Sequence, residues 1–189
     1  MRNAPRWAGR VAALFVAIAL AAPASAARTL TWTVDCARGH SISRALEHAR
    51  PGLKLTLIVR GSCNENLRID RDDVTLQGDT VIGATVNGPS ANIPTIDIAG
   101  SRIAIDGLTV TGGQSGIGIY GASNVRIANS VVRDTGLDGI SIVQSQAISV
   151  INSKIQYTAS IGIVADRGSM TISDSDVSFN KVAGVHIGS

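Results

Sequence analysis

Two cysteines, a run of acids and one hydroxyl–imidazole–carboxylate combination are the residues of this chain whose types suggest chemistry. Asp138, Ser141 and His186 supply the members of a nucleophilic triad, in which a base within about 3 Å takes the proton of the attacking hydroxyl. Asp134 lies on the same segment as Asp138 and offers a second carboxylate. Asp70, Asp72 and Asp73 imitate a calcium loop, because hard cations take several carboxylates. Arg68 and Arg71 interleave with them and the EF-hand spacing is absent, so a solvated turn is expected there. Cys36 and Cys63 are the only thiols, and the residues around them supply neither metal-like ligand spacing nor the histidine and positive setting of a catalytic cysteine. His40 and His48 fall in a region that suggests no site.

What positions these residues depends first on where the chain goes. Arg2, Arg6 and Arg10 precede the apolar run Val11 to Ala22, which ends in Pro23-Ala24-Ser25-Ala26. A basic start, an apolar stretch too short to span a bilayer comfortably and a small-residue end read as a secretory signal peptide cut after about Ala26. The expected location is secreted or periplasmic, with no membrane span after cleavage. Losing residues 1–26 removes three arginines and no acid, so 17 basic residues become 14 against 14 acidic ones. The net charge of +3 belongs to the leader, and a general attraction to nucleic acid or anionic membrane loses its support. An oxidising destination turns the two cysteines into an expected Cys36–Cys63 disulfide.

The architecture is read from a repeat. Residues 101–122, 123–145, 146–168 and 169–189 align with a period of 22 to 23 residues. Each unit carries short apolar alternations separated by turns, which means strands rather than helix. One unit per turn, stacked at about 4.8 Å, gives a coiled parallel β-solenoid. Three inward columns follow: Ile105, Ile127, Val150, Ile172; then Val110, Val132, Ile155, Val177; then Ile117, Ile140, Ile163, Val185. Gly107, Asn129, Asn152 and Asp174 form a turn column of types that tolerate a left-handed bend, and stacked Asn amides can bond along the axis. Gly116, Gly139, Gly162 and Gly184 mark the start of each third strand. Twenty glycines and only 3% aromatics fit a thin interior filled by aliphatics.

Upstream, Leu53–Val59, Leu67–Ile69 and Val74–Leu76 read as strands of earlier coils, and Asn87–Pro94 as an inserted loop. Ile42, Ala45, Leu46 and Ala49 follow helical spacing, giving an amphipathic helix ended by Pro51-Gly52 that covers the bottom of the first coil. The expected organisation is a leader at 1–26, an N-terminal cap with helix at 27–52 and a β-helix at 53–189. No cap is evident after Val185-His186-Ile187, so the expectation is either a truncated member of a longer family or an edge covered by a second copy of the chain.

Residues Leu53 to Ser189, through the Asn129/Asn152 ladder and the Gly-Ile-x-Ile strands, resemble the right-handed parallel β-helix of the pectate-lyase-like superfamily. The arrangement VDC, helix, GSCNENLRI resembles the start of secreted bacterial β-helix proteins. The resemblance implies polysaccharide as partner and an outer groove beside the third-strand column, here Gly118, Ser141, Val164 and His186. Asp138-Gly139-Ile140 resembles the acid-Gly-Ile segment of polygalacturonase-type hydrolases, which implies a catalytic role for Asp138. Asp134 on the same loop is a further candidate that the spacing does not require, and an Asp that caps the turn before Gly139 is the simpler expectation. Glycoside hydrolysis needs two carboxylates roughly 5–10 Å apart, and neighbouring coils place Ile161, Val164, Ser115 and Gly118 where a second would sit. Lyase chemistry would draw on Arg133, Lys154, Arg167, Asp166 and Asp176, with Ca²⁺ as the one cofactor such a reaction would bring. Lys154 and Asp176 share an outward column, so an exposed cross-strand ion pair is the simpler expectation. Ser141 and His186 stand two coils apart, about 9.6 Å, which is too far for a triad. Tyr157 and Phe179 share a loop column and, with Arg133 and Ser141, are the candidate sugar-binding residues. The expected function is a secreted polysaccharide-interacting domain, non-catalytic as it stands. The alternatives are a lyase, hydrolase or epimerase with an incomplete site, and a structural or adhesive solenoid assembling through its open end.

Overall fold

Short apolar alternations cannot bury themselves alone, and each one here pairs with its equivalent a repeat away. A computed structural model describes residues 28–188 as a right-handed parallel β-helix of about seven turns. The leader expected at 1–26 lies outside the described residues.

The chain begins with β1 (Thr29–Asp35), a 3-10 turn at Cys36–Arg38 and the helix α1 (Ile42–His48). The first coils run through β2 (Lys54–Asn64), β3 (Leu67–Ile69), β4 (Val74–Gly78), β5 (Ala84–Gly88) and β6 (Ile96–Ile98). The regular coils follow as β7 (Ile103–Asp106), β8 (Thr109–Gly112) and β9 (Ile117–Tyr120), then β10 (Ser123–Ala128), β11 (Val131–Arg133) and β12 (Ile140–Val143). The last are β13 (Gln146–Ile151), β14 (Lys154–Gln156) and β15 (Ile161–Asp166), then β16 (Met170–Ser173), β17 (Asp176–Ser178) and β18 (Ala183–Gly188). Sheet A stacks β1, β2, β4, β7, β10, β13 and β16. Sheet B stacks β2, β5, β8, β11, β14 and β17, and sheet C stacks β3, β6, β9, β12, β15 and β18. The long β2 serves sheets A and B because it turns the corner at Gly61, whose φ is +74°.

All three expected columns are in register. Ile105 pairs with Ile127, Ile127 with Val150 and Val150 with Ile172. The Val110 and Ile117 columns run through Val177 and Val185 in the same way. Members in the inner coils are fully buried, each contributing roughly 1.5–3 kcal/mol of apolar burial. The second column begins two coils earlier than the repeat suggested, with Cys63 below Val86 and Val86 below Val110.

The corners show why the repeat keeps small polar residues. Gly107, Asn129, Asn152 and Asp174 all have left-handed backbone, and the Asn152 amide donates to Asn129, which donates in turn to Asp106. Beside them runs a serine column. Ser130, Ser153 and Ser175 each donate a hydroxyl to the carbonyl two residues back, and each accepts the next lower coil's N–H, of Leu108, Ser130 and Ser153 in turn. Buried turns need such partners, since an orphaned backbone donor costs about 1–3 kcal/mol. Three further corner columns are left-handed, and they hold Arg102, Asn124 and Ala147, then Asp134, Tyr157 and Phe179, then Gln144 and Arg167.

The cap is built as the helical spacing predicts and adds a strand. Ile42 and Leu46 of α1 are buried, and Ser41 caps its start by accepting from Arg44 N–H. Glu65 accepts from Ser41 Oγ, Ile42 N, Ser43 N and Ser43 Oγ, while the Arg71 guanidinium donates to the carbonyls of Leu46, Ala49, Arg50 and Leu53. Arg71 is thus not part of a solvated turn. Its neighbours are compensated from the next coil, where Arg102 reaches both Asp72 and Asp73 and holds the Asp73 carboxyl below its usual range. Within the segment expected to be cap alone, Leu30, Trp32 and Val34 alternate along β1 and pair with Leu55, Leu57 and Val59. The Cys36–Cys63 disulfide is formed, with Cα atoms 5.1 Å apart.

One expected contact is corrected. Lys154 and Asp176 are neighbours in register, but the Asp176 carboxylate accepts instead from Gln156 Nε2 at 2.7 Å. A neutral amide two residues along the strand reaches it without ordering a long lysine chain.

Candidate functional site

The corner that joins sheet B to sheet C is the place where the sequence-predicted residues converge. In each of the last four coils a strand of sheet B ends in a left-handed residue (Gly112, Asp134, Tyr157, Phe179) and continues through a short turn to a glycine. Asp134, Tyr157 and Phe179 occupy the same left-handed position of three successive coils, one residue after Arg133, Gln156 and Ser178. The aromatic rings stack at 5.4 Å between centroids and 9° between planes. Tyr157 is 54% and Phe179 71% exposed. Three residues further on, Leu137, Ser160 and Val182 are linked coil to coil through their backbones, and Leu137 and Val182 are exposed. The result is a ridge of apolar side chains edged by Arg133, Asp134 and Lys181.

The ridge acids have local partners. Asp134 pairs with Arg133 at 2.6 Å, and Asp138 Oδ1 accepts the Ile161 N–H at 3.1 Å from the next coil. Asp138 therefore closes a turn across coils. The two carboxylates sit at opposite ends of one turn, each engaged.

Ser141 and His186 lie on another surface, the outer face of sheet C. Their column reads Arg68, Asp97, Gly118, Ser141, Val164, His186, so Val164 separates the serine from the imidazole by a full coil on either side. Arg68 and Asp97 pair at 2.6 Å. Tyr120 lies across Gly118 towards Pro94, where a Cβ on Gly118 would come 2.6 Å from the Tyr120 ring and 2.8 Å from Pro94 Cγ. The structure thus brings Arg133, Asp134, Tyr157 and Phe179 together, places Asp138 at the far end of their turn, and leaves Ser141 and His186 apart from them.

Sequence reasoning missed Leu137 and Val182 as part of the ridge. Their spacing, three residues after the left-handed position in alternate coils, was the signal. A metal reading of Cys36, Cys63 and Glu65, whose ligand atoms lie within 4.8 Å of one another, fails because the sulfurs are bonded to each other and Glu65 is saturated by α1.

Comparison with known proteins bears on the fold. The family described as "Right handed beta helix region" matches residues 58–189. No curated protein gives a significant match to the chain. Similar solved structures include pectate lyase Pel9A, with a TM-score of 0.61 at 12% identity, covering 77% of this chain and 47% of that one. An alginate lyase from Paenibacillus sp. str. FPU-7 gives 0.54 at 21% identity, covering 86% of this chain and 58% of that one. Pectin methylesterase PemA from Erwinia chrysanthemi gives 0.50 at 12% identity, covering 76% and 64%. The chain therefore spans less than two thirds of each of these structures, and at such identities the likeness is one of fold. With its register, its corner ladders and a family match over most of its length, this chain belongs to the right-handed β-helix family.

Proposed function

We propose that the chain is a secreted domain that interacts with extracellular or cell-wall polysaccharide through the ridge of Arg133, Tyr157 and Phe179, without cleaving it. The observation that carries this reading is the exposed Tyr157–Phe179 stack beside Arg133, since ordered aromatic rings left in solvent next to charge suit the apolar faces and polar edges of sugars. Three solved structures of similar fold are proteins named for pectate, alginate and pectin, which supports polysaccharide as the partner class. The non-catalytic reading rests on Asp134 and Asp138, whose carboxylates are engaged by Arg133 and by the Ile161 N–H. Export is supported by the disulfide.

The test is binding to pectate and alginate in affinity electrophoresis. Retardation by one of them is expected, with the Tyr157→Ala/Phe179→Ala double variant weakened about tenfold, or roughly 1.4 kcal/mol. Absence of retardation by either polymer, or an unchanged double variant, would overturn the reading. Release of new chain ends that stops in Asp138→Asn would overturn its non-catalytic part.

A further inference from the structure

The cap carries a cleft remote from the ridge. It is a cavity of about 310 Å³ between β1 and α1, with Trp32, His40, Ser41, Arg44 and His48 among its walls and no acidic residue in its lining. At the small end of the range for ligand sites, it has room for a single ring rather than a polymer.

The hydrogen bonds fix what each wall offers. Asp35 N–H donates to His40 Nδ1 at 3.3 Å, so that nitrogen carries no proton and the neutral ring keeps its proton on Nε2, as a donor. His48 Nδ1 lies 2.7 Å from the Arg44 carbonyl, which can only accept. The His48 proton is therefore on Nδ1, and its neutral Nε2 is an acceptor. The two histidines present opposite functions to one cavity. Arg44 is exposed and forms no ion pair among the described residues. Of the three nearby acids, Asp35 pairs with Arg38 at 3.3 Å, Glu65 holds the start of α1, and Glu47 lines a different hollow of the cap with Leu46, Asp70 and Arg71. The cleft thus combines a guanidinium fork, one imidazole donor, one imidazole acceptor and the half-buried indole of Trp32.

We propose that this cleft binds a hydroxy-carboxylate carried on a sugar ring, a uronic acid unit. The carboxylate pairs with the Arg44 fork and the His40 Nε2–H, as guanidinium–carboxylate geometry favours. A ring hydroxyl donates to His48 Nε2, and the apolar ring face rests on Trp32. A neutral sugar lacks the group that Arg44 takes, and a simple carboxylate lacks the ring and hydroxyl that Trp32 and His48 take. The cleft does not depend on the ridge, and either site can hold if the other fails.

The experiment is an NMR titration of the full chain with D-galacturonate, D-galactose and acetate, following the two indole N–H signals and assigning that of Trp32 with Trp32→Phe. Saturable movement of the Trp32 signal is expected for galacturonate alone, with Kd on the order of 1 mM. Arg44→Ala should weaken it at least tenfold and Arg44→Lys by less, because lysine keeps the charge and loses the fork. A shared melting temperature with the parent chain verifies that both variants are folded. No saturable shift with galacturonate, equal binding of galactose or acetate, or an affinity unchanged in both arginine variants would overturn the proposal. Polymer binding abolished by Tyr157→Ala/Phe179→Ala, with no monosaccharide response at Trp32, would overturn it while leaving the ridge reading in place.

Discussion

Replacing Cys36 and Cys63 together by alanine should lower stability by about 3.5 kcal/mol, the chain-entropy value for a loop closed over this separation. The cysteines lie 27 residues apart in sequence, and the bridge ties the end of β1 to the first member of sheet B's inward column. Cys63 is 2% exposed beneath Val86, so the substitution also removes packing at the base of that column. The loss should be local. Glu65 and Arg71 grip α1 at its two ends independently of the disulfide. Amide exchange should therefore accelerate most in β1 and the Cys36–Arg38 turn, less in α1 and least in β10 to β15. Equal melting of the variant and the parent chain would show that the bridge carries no stability, and uniform acceleration along the solenoid would show that the cap is not a separate unit.

The parts of the fold built by repetition could be read from the residues alone. The inward columns were legible because a coil repeats its environment, so Ile127, Val150 and Ile172 meet the same neighbours and keep the same shape. The Asn129–Asn152 ladder was legible for the same reason. Contacts made once were not. Glu65 and Arg71 sit in segments with no periodic partner, and their charges read equally well as solvated until the helix ends are placed beside them. The corners were half legible. Asn and Gly announce a left-handed bend, whereas Ala147, Gln144, Arg167, Tyr157 and Phe179 adopt the same bend with no local preference for it. There the flanking strands, paired on both sides or ending the stack, dictate the turn and override the residue's own cost of roughly 1–2 kcal/mol.

The candidate site divides along the same line. That Tyr157 and Phe179 share a column followed from the period, and their near-parallel rings follow from the same left-handed turn repeated in adjacent coils. That Asp138 serves a turn was legible in its place before Gly139, but that it would take the next coil's N–H, and Asp134 the guanidinium of its own neighbour Arg133, was not, because each carboxylate had several partners within reach. The misplaced Lys154–Asp176 pair has this origin. Register fixes which residues are adjacent, while rotamers decide which of the adjacent groups bond.

Gly139→Ala should destabilise the protein by about 3 kcal/mol, at the upper end of ordinary overpacking. The reason is space, since no left-handed φ is recorded at Gly139. A Cβ there would come 2.6 Å from the Gly162 carbonyl oxygen and 3.1 Å from Thr158 Cγ2, and would also meet the Ile155 side chain. The backbone oxygen belongs to the next coil and is held by sheet C, so it cannot move without shifting the register of β12 against β15. Gly162 is in the same position, with the Gly184 carbonyl oxygen 2.6 Å from its would-be Cβ. Gly184 is not, because the nearest atoms to its would-be Cβ are Val177 O at 3.2 Å and Val177 Cγ1 at 3.8 Å. One sequence column therefore contains three positions closed to a methyl group, Gly116 among them with the Gly139 carbonyl oxygen 2.8 Å from its would-be Cβ, and one that nearly accepts it. Urea unfolding of the three alanine variants should give large losses for Gly139→Ala and Gly162→Ala and under about 1 kcal/mol for Gly184→Ala. Equal losses at all three would mean that the glycines are kept for backbone freedom at the start of the third strand, and that the coils do not approach one another as closely as the register of sheet C requires.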